Sequence, residues 1–311
     1  MEEKIEIMNL LQSKQVLEHE LQSFVYGSVE IRENESNKYI YVHYREDGVA
    51  LTKYVGEYSD ELYNLVLNNS IKAKQLKKQI REITKKLKQL NYTEEELSEK
   101  VEQNIDFAKR HLVDTIYKQA ILEGVATTFA DTESIIEGGK VNNMTSEDIL
   151  KIVNLKHAWE FILNKNVILS DTNFALLCEI NKMVEEGFYY TAGKVRNTPV
   201  TIGGTTWKPD LPIESVIKEE LEEIFSKKLD DIDRAIELLL YTMKKQVFID
   251  GNKRTAVIYS NHYLISKGKG IIAIPAELTE EFKDLLIPYY EGKDEKQIKK
   301  FIKGKCYMNM E

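Results

Sequence analysis

The segment whose residue types point most clearly to chemistry covers residues 246–256, with the sequence QVFIDGNKRTA. An acid, a glycine and an asparagine stand at 250–252, directly before Lys253 and Arg254 at the predicted start of a helix. Backbone N–H groups at such a start carry partial positive charge, and glycine lets the backbone come close to an anion. Both cations add full charge, and a carboxylate such as Asp250 can bind Mg²⁺ together with phosphate oxygens. These residue types indicate either a site for phosphate and metal, or an ordinary helix N-cap with charged residues on its surface.

Two helices must position this segment. Residues 231–245 carry the apolar stripe of an amphipathic helix, and a second helix is predicted to begin at Asn252. Residues 187–209 contain several glycines and prolines and short β-like runs instead. Further helices are predicted over about 145–163, 170–185 and 212–227.

The same segment resembles the signature loop of the Fic/Doc (Fido) family, His-x-Phe-x-Asp/Glu-Gly-Asn-Gly/Lys-Arg-x-x-Arg between two helices. Six residues match it: Phe248, Asp250, Gly251, Asn252, Lys253 and Arg254. Residues 193–204 resemble the family's flap hairpin, and residues 134–138 resemble its autoinhibitory helix. The resemblance covers about residues 115–295. It implies a mainly α, Fic-type helical core with a small β-hairpin flap, which moves AMP from ATP onto a hydroxyl of a target protein with Mg²⁺. The Doc branch of the family transfers phosphate instead.

The resemblance also implies a role for each matching position. It assigns phosphate binding to four residues: Gly251, Asn252, Lys253 and Arg254. Mg²⁺ binding falls to Asp250. Three flap residues would hold an extended target chain by strand addition: Thr201, Ile202 and Gly203. Glu137 would point into the nucleotide site as an inhibitory residue.

Two positions depart from the family's pattern. The leading histidine of the motif, the family's general base, is Gln246 here, and an amide has no useful basicity near neutral pH. Losing a positioned base should lower the rate about 10²–10⁴-fold, which predicts a degenerate or altered transferase. The last motif arginine is Val257, so Glu137 loses its implied partner, and Lys253 without a second arginine resembles the Doc branch. Glu137 can also be interpreted as a helix C-cap before Gly138.

Composition limits the class of protein. The chain has 311 residues, 42% hydrophobic and 30% charged, which excludes a collagen, a disordered chain and a membrane bundle. No apolar run approaches the roughly 18 residues needed to span a bilayer. Only two cysteines occur, too few for a disulfide framework, so we expect a cytoplasmic location. The net charge is −8, and any contact with nucleic acid would therefore have to be local.

The first hundred residues lie outside the resemblance. Residues 1–60 predict a helix followed by a small β-ribbon, and the heptad-like spacing over 61–123 predicts a long helical hairpin. Residues 124–311 would form the Fic-like core. Within 71–90, eight basic side chains stand against Glu82 alone. They indicate either a patch for nucleic acid or an acidic partner, or a solvated helix face paired with the acidic stretch that follows.

Two classes of function follow from these observations. The first is a Fic-type protein that binds ATP and Mg²⁺, with weak, altered or absent AMP transfer, or with Doc-like phosphate transfer. The second is a non-enzymatic module whose N-terminal region recruits nucleic acid or a regulatory partner protein. No membrane contact is expected. The target protein and the oligomeric state stay open, with a homodimer among the options.

Overall fold

A computed structural model describes residues 2–34, 37–46, 49–90, 92 and 97–310 of the chain. It divides into two compact units, Met1–Thr93 and Glu94–Glu311. Thirteen α-helices form within the described residues, together with five strands in two small sheets. None of these helices combines the length and apolarity that a bilayer crossing requires.

The first unit contains a three-stranded antiparallel sheet and two helices. Its elements are α1 (Glu2–Gln22), β1 (Ser28–Asn34), β2 (Asn37–Glu46), β3 (Val49–Glu57) and α2 (Asp60–Gln89). The sheet order is β1-β2-β3, which confirms the predicted β-ribbon. Ile40 and Val42 point to the buried face of β2, because alternate residues of a strand face opposite sides. Helix α2 packs on α1 and begins after Ser59, whose hydroxyl accepts the N–H of Leu62.

The second unit is almost entirely helical. Its helices are α3 (Glu99–Arg110), α4 (Leu112–Leu122), α5 (Phe129–Ile136), α6 (Ser146–Ile162), α7 (Lys165–Ile168), α8 (Phe174–Val184), α9 (Glu214–Ser226), α10 (Asp231–Lys245), α11 (Asn252–Ser266), α12 (Thr279–Tyr290) and α13 (Lys296–Phe301). A short antiparallel pair joins β4 (Ile271–Ile272) to β5 (Tyr307–Met308). The mainly α fold is therefore confirmed.

Helix α11 runs through the centre of the second unit. Every residue of it is buried except Lys253 and Ser266. It contacts α3, α6, α7, α8, α10 and β4. Two of its buried polar side chains are hydrogen-bonded to backbone groups: Asn261 bridges the N–H and C=O of Ile272, and His262 Nε2 donates to the carbonyl of Val167.

Three details differ from the sequence analysis. The chain divides at residue 93, so α2 lies in the first unit and α3 and α4 lie in the second, whereas a single hairpin was expected over 61–123. The expected second helix of that hairpin is interrupted at His111, whose ring Nδ1 donates to the carbonyl of Phe107. Helix α8 begins after Asn173 rather than Ser170, because the Asn173 carboxamide accepts the N–H of Leu176. The three domains expected at 1–60, 61–123 and 124–311 stay a prediction as folding units.

Candidate functional site

The predicted chemical segment forms the loop between α10 and α11. Its two ends both turn through left-handed backbone, with φ of 49° at Gln246 and 72° at Gly251. A Cβ atom at Gly251 would overlap with the Glu185 carboxylate, so this position needs glycine for its backbone angle and for its lack of a side chain. Phe248 is buried and anchors the loop in the core.

Asn252 fastens the loop internally. Its Oδ1 accepts the N–H of Phe248 at 3.0 Å, and its Nδ2 donates to the carbonyl of Phe248 at 2.9 Å. From the neighbouring helix α8, Asn181 Nδ2 donates to the carbonyl of Asp250 at 3.0 Å. The Asn252 side chain therefore has a structural role in shaping the loop.

Both polar atoms of the Gln246 side chain are engaged within the protein. Nε2 donates to the carbonyl of Met243 at 2.6 Å, and Oε1 accepts from Asn252 Nδ2 at 3.2 Å. The carbonyl of Gln246 accepts from Arg196 Nε at 2.6 Å. The residue that stands at the place of the family's base is thus used to hold the loop.

The start of α11 has the features of an anion site. No side chain caps this helix, so the N–H groups of its first turn have no side-chain acceptor. Beside it stands Asp250, whose side chain is 52% exposed and whose Oδ1 accepts the N–H of Gly251 at 2.7 Å. No cluster of three or more His, Cys, Asp or Glu side chains that could hold a metal occurs among the described residues. A single carboxylate suits Mg²⁺ only when phosphate oxygens and waters complete its coordination.

Arg254 is buried and surrounded by carboxylates. Its Nη2 lies 2.6 Å from Glu185 Oε1 and 3.8 Å from Asp250 Oδ2, and its Nε lies 3.6 Å from Glu123 Oε2. Lys253 Nζ lies 3.4 Å from Glu123 Oε1. Both cations that the sequence analysis assigned to phosphate therefore already face acidic side chains. Sequence reasoning missed the two glutamates, since nothing in the sequence links positions 123 and 185 to position 254.

Four atoms of Arg254 and of the carboxylates around it are buried and have no hydrogen bond. These atoms are both carboxylate oxygens of Glu185, Oε1 of Glu123 and Nε of Arg254. The pKa of Glu185 is raised to about 7, chiefly by desolvation; Arg254 opposes this rise, and Asp250 and Glu123 contribute to it. Glu185 Oε1, Glu123 Oε1 and Arg254 Nε stand in the ion pairs given above, so Glu185 Oε2 is the one of these four atoms that a water, ion or ligand would have to satisfy. The cluster is thus consistent with a polar ligand at this end of α11.

The flap segment adopts no strand. Residues 194–213 run as an irregular chain, with Thr201 and Gly203 exposed and Ile202 half-buried. The guanidinium of Arg196 donates to the carbonyls of Gln246, Thr198 and Asp210 at 2.6–2.7 Å. The same arginine ties the flap to the loop.

Glu137 stands at the end of a different helix. It is exposed at the C-terminal end of α5, followed by Gly138 with φ of 78°. Within the described residues, no ion pair joins it to Arg254, whose carboxylate neighbours are those given above. Val257, at the place of the last motif arginine, is buried in the core. The loop residues and Arg196 therefore come together, and Glu137 does not join them.

Known proteins resemble this chain in both sequence and fold. Residues 171–264 match the Fic/DOC family. Fic-1 (residues 134–508) from C. elegans superposes with a TM-score of 0.52 at 16% identity, covering 78% of this chain and 79% of that one. A Fic domain containing signaling protein from Bacteroides thetaiotaomicron gives 0.52 at 19% identity, covering 60% and 74%. A Fic family protein from Desulfovibrio desulfuricans G20 gives 0.53 at 12% identity, covering 68% and 73%. No curated protein is similar enough to this sequence to count as a match.

Proposed function

We propose that this chain, which belongs to the Fic/DOC family by its residues 171–264, binds ATP with Mg²⁺ and is impaired in AMP transfer. The observation that carries this proposal is the start of α11, an uncapped helix beside the exposed carboxylate of Asp250. Backbone N–H groups with the positive end of a helix dipole favour phosphate, and such a carboxylate favours a hard cation.

The residues present fit this nucleotide in distinct ways. The first-turn backbone of α11, at Gly251, Asn252 and Lys253, would face the phosphates, and the half-buried Lys253 ammonium would reach them. Asp250 would hold Mg²⁺, which when bound neutralises phosphate charge and orients the phosphate groups. Arg254 would reach an outer phosphate only in competition with Glu185 and Glu123. We therefore propose weak binding of ATP that depends strongly on Mg²⁺.

The proposed impairment follows from Gln246. A carboxamide whose oxygen and nitrogen are both hydrogen-bonded cannot accept a proton from a target hydroxyl. Removing a positioned base lowers turnover by about 10²–10⁴-fold, while binding and positioning persist. The exposed backbone at Thr201 and Gly203 is the proposed contact for an extended target segment.

A second candidate is transfer of the terminal phosphate, as the Doc branch does. Val257 favours it, because a buried valine stands where AMP-transferring members have the second arginine. The two reactions differ in which phosphorus moves, so they are separable by the position of a radiolabel.

The experiment combines binding with labelling. Calorimetry with ATP, with and without Mg²⁺, is run on wild type, Gln246→His and Gln246→His/Asp250→Asn. The same proteins are incubated with cell lysate and either α-labelled or γ-labelled ATP. We expect Mg²⁺-dependent binding by wild type, and α-label transfer by Gln246→His that the Asp250→Asn change abolishes.

The outcomes separate the alternatives. Transfer of γ-label alone would favour the phosphotransferase. Binding without any transfer by the histidine variant would point to a nucleotide sensor. Absence of binding in all three proteins would overturn the proposal.

A further inference from the structure

The C-terminal half of α2 carries a dense array of positive charge. At 100° per residue, six of its cations fall within an arc of about 100° on one face of the helix. We call this array the basic stripe; its members are Lys74, Lys77, Lys78, Arg81, Lys85 and Lys88, all exposed. On the apolar face of the helix, Val66, Ala73 and Leu76 are buried. The stripe is therefore exposed beside the packed face of the helix, since Val66 and Ala73 fall about 20° and 40° from Lys77 around the helix axis.

Ion pairs within the first unit do not neutralise the charge of the basic stripe. Among the described residues of that unit, only Lys78 of the stripe has a carboxylate within 4.0 Å, that of Glu82. Lys77 lies instead over the ring of Tyr26, at 4.6 Å from its centroid. The acidic stretch that the sequence analysis considered as a partner begins at 94–96, which lies outside the described residues.

Helix stability does not explain the stripe either. Basic residues in the last turn interact favourably with the helix dipole, which accounts for Lys88 but not for residues one to three turns earlier. Like charges four residues apart, such as Lys74 with Lys78 and Lys77 with Arg81, destabilise an isolated helix. Because these like charges lower the stability of the helix, we expect the basic stripe to bind a partner.

The spacing of the stripe fits one kind of polyanion. From Lys74 to Lys88 the helix rises about 21 Å, at 1.5 Å per residue. One strand of a nucleic-acid duplex presents a phosphate about every 3.4 Å along the axis, so about six phosphates occupy that length. Because each strand winds around the duplex, a straight helix meets phosphates of both strands along a groove, and six cations over about 21 Å supply enough charge to neutralise about six of them.

A membrane surface fits less well. A helix that lies in a bilayer interface needs an apolar face free to enter the lipid. The apolar face of α2 is used inside the unit, and its exposed large apolar side chains, Leu65, Leu67 and Ile71, all precede the stripe. We infer that the basic stripe binds the sugar–phosphate backbone of a double-stranded nucleic acid without reading its sequence.

The test is a salt titration with the full-length chain and a fluorescein-labelled duplex DNA of 24 base pairs. Six neutralised phosphates give a slope of log K against log salt of about −5, and so about a 10³-fold loss of affinity between 50 and 200 mM salt. The triple variant Lys78→Gln/Arg81→Gln/Lys85→Gln should reduce that slope to about −3. Its far-UV circular dichroism establishes that α2 still forms.

The matched control replaces three exposed lysines of the second unit, Lys228, Lys296 and Lys300, by glutamine. It lowers the net charge equally and should leave the slope unchanged. The inference is overturned if duplex does not bind at 50 mM salt, if both triple variants show the same slope, or if the single strand binds more tightly than the duplex. Binding to phosphatidylserine vesicles with no binding to duplex would also overturn it, in favour of a membrane surface.

Discussion

The buried carboxylate of Glu185 should make the second unit less stable as pH rises. Its pKa is raised from an ordinary value of 4.5 to about 7, chiefly by desolvation and then by Asp250 and Glu123, against the attraction of Arg254. An acid whose pKa is higher in the folded state binds its proton more tightly there. Its favourable contribution is complete below pH 4.5 and is lost as pH rises through 7.

The magnitude follows from that change in pKa. A rise of about 2.5 units at 1.36 kcal/mol each corresponds to about 3 kcal/mol between pH 4.5 and pH 8.5. The variant Glu185→Gln keeps the shape of the side chain and cannot ionise. The attraction between Arg254 and the ionised carboxylate is already contained in the pKa of about 7, so the change with pH reports desolvation and this attraction together.

The assay uses urea denaturation followed by tryptophan fluorescence at pH 5 and pH 8.5. Both tryptophans, Trp159 and Trp207, lie in the second unit, so the signal reports that unit alone. Wild type should lose up to about 3 kcal/mol relative to Glu185→Gln over this range. Other titrating groups are common to both proteins and cancel in the difference.

The neighbouring Glu186→Gln supplies the control, because this side chain is exposed. It should show no pH-dependent difference from wild type. If Glu185→Gln and Glu186→Gln track each other across the pH range, the carboxylate of Glu185 is not desolvated in the way that the structure implies.

Three further predictions concern the same unit, each measured by the same denaturation assay. Arg196→Met should destabilise this unit by about 2–4 kcal/mol, since three carbonyl acceptors lose their donor. The control Lys194→Met changes an exposed side chain and should have little effect. Equal losses of stability in the two variants would contradict the role given to the guanidinium. Gly251→Ala should cost more than Gly138→Ala: both pay roughly 1–2 kcal/mol for left-handed backbone, and only the first overlaps with a carboxylate. His262 is buried, and desolvation lowers its pKa to about 4. Wild type should therefore lose about 3 kcal/mol of stability as pH falls from 7 to 4, while His262→Gln should lack this acid dependence. A parallel loss of stability in both proteins would refute this prediction.

Local features of the site could be predicted because they are contiguous in sequence. The loop from Gln246 to Arg254 is one uninterrupted motif, and α10 begins and ends where its apolar stripe and its cap at Asp230 indicate. The burial of α11 on all sides left no periodic signal, so its central position was not predictable from hydrophobic pattern alone.

Long-range features could not be predicted, since they depend on tertiary packing. Glu123 and Glu185 come from the ends of two helices and meet Arg254 only in the folded chain. The flap has the composition of a hairpin, but residues 194–213 form no strand, and Arg196 binds the carbonyls of Thr198 and Asp210 along this segment. The boundary between the two units lies within the range 61–123 of the predicted hairpin, and heptad spacing alone gives no sign of such a boundary.

The central placement of α11 constrains how any ligand can be recognised. The helix cannot tilt or slide unless α8 and α10 move with it, and the loop before it is fastened by Asn181 and Asn252. Its first amides therefore keep one geometry whether or not a molecule is present. The start of α11 should therefore act as a fixed template for recognition. A molecule whose hydrogen-bond acceptors match the spacing of these amides binds without a cost for ordering the protein. A molecule whose acceptors do not match is not helped by any adjustment of the protein.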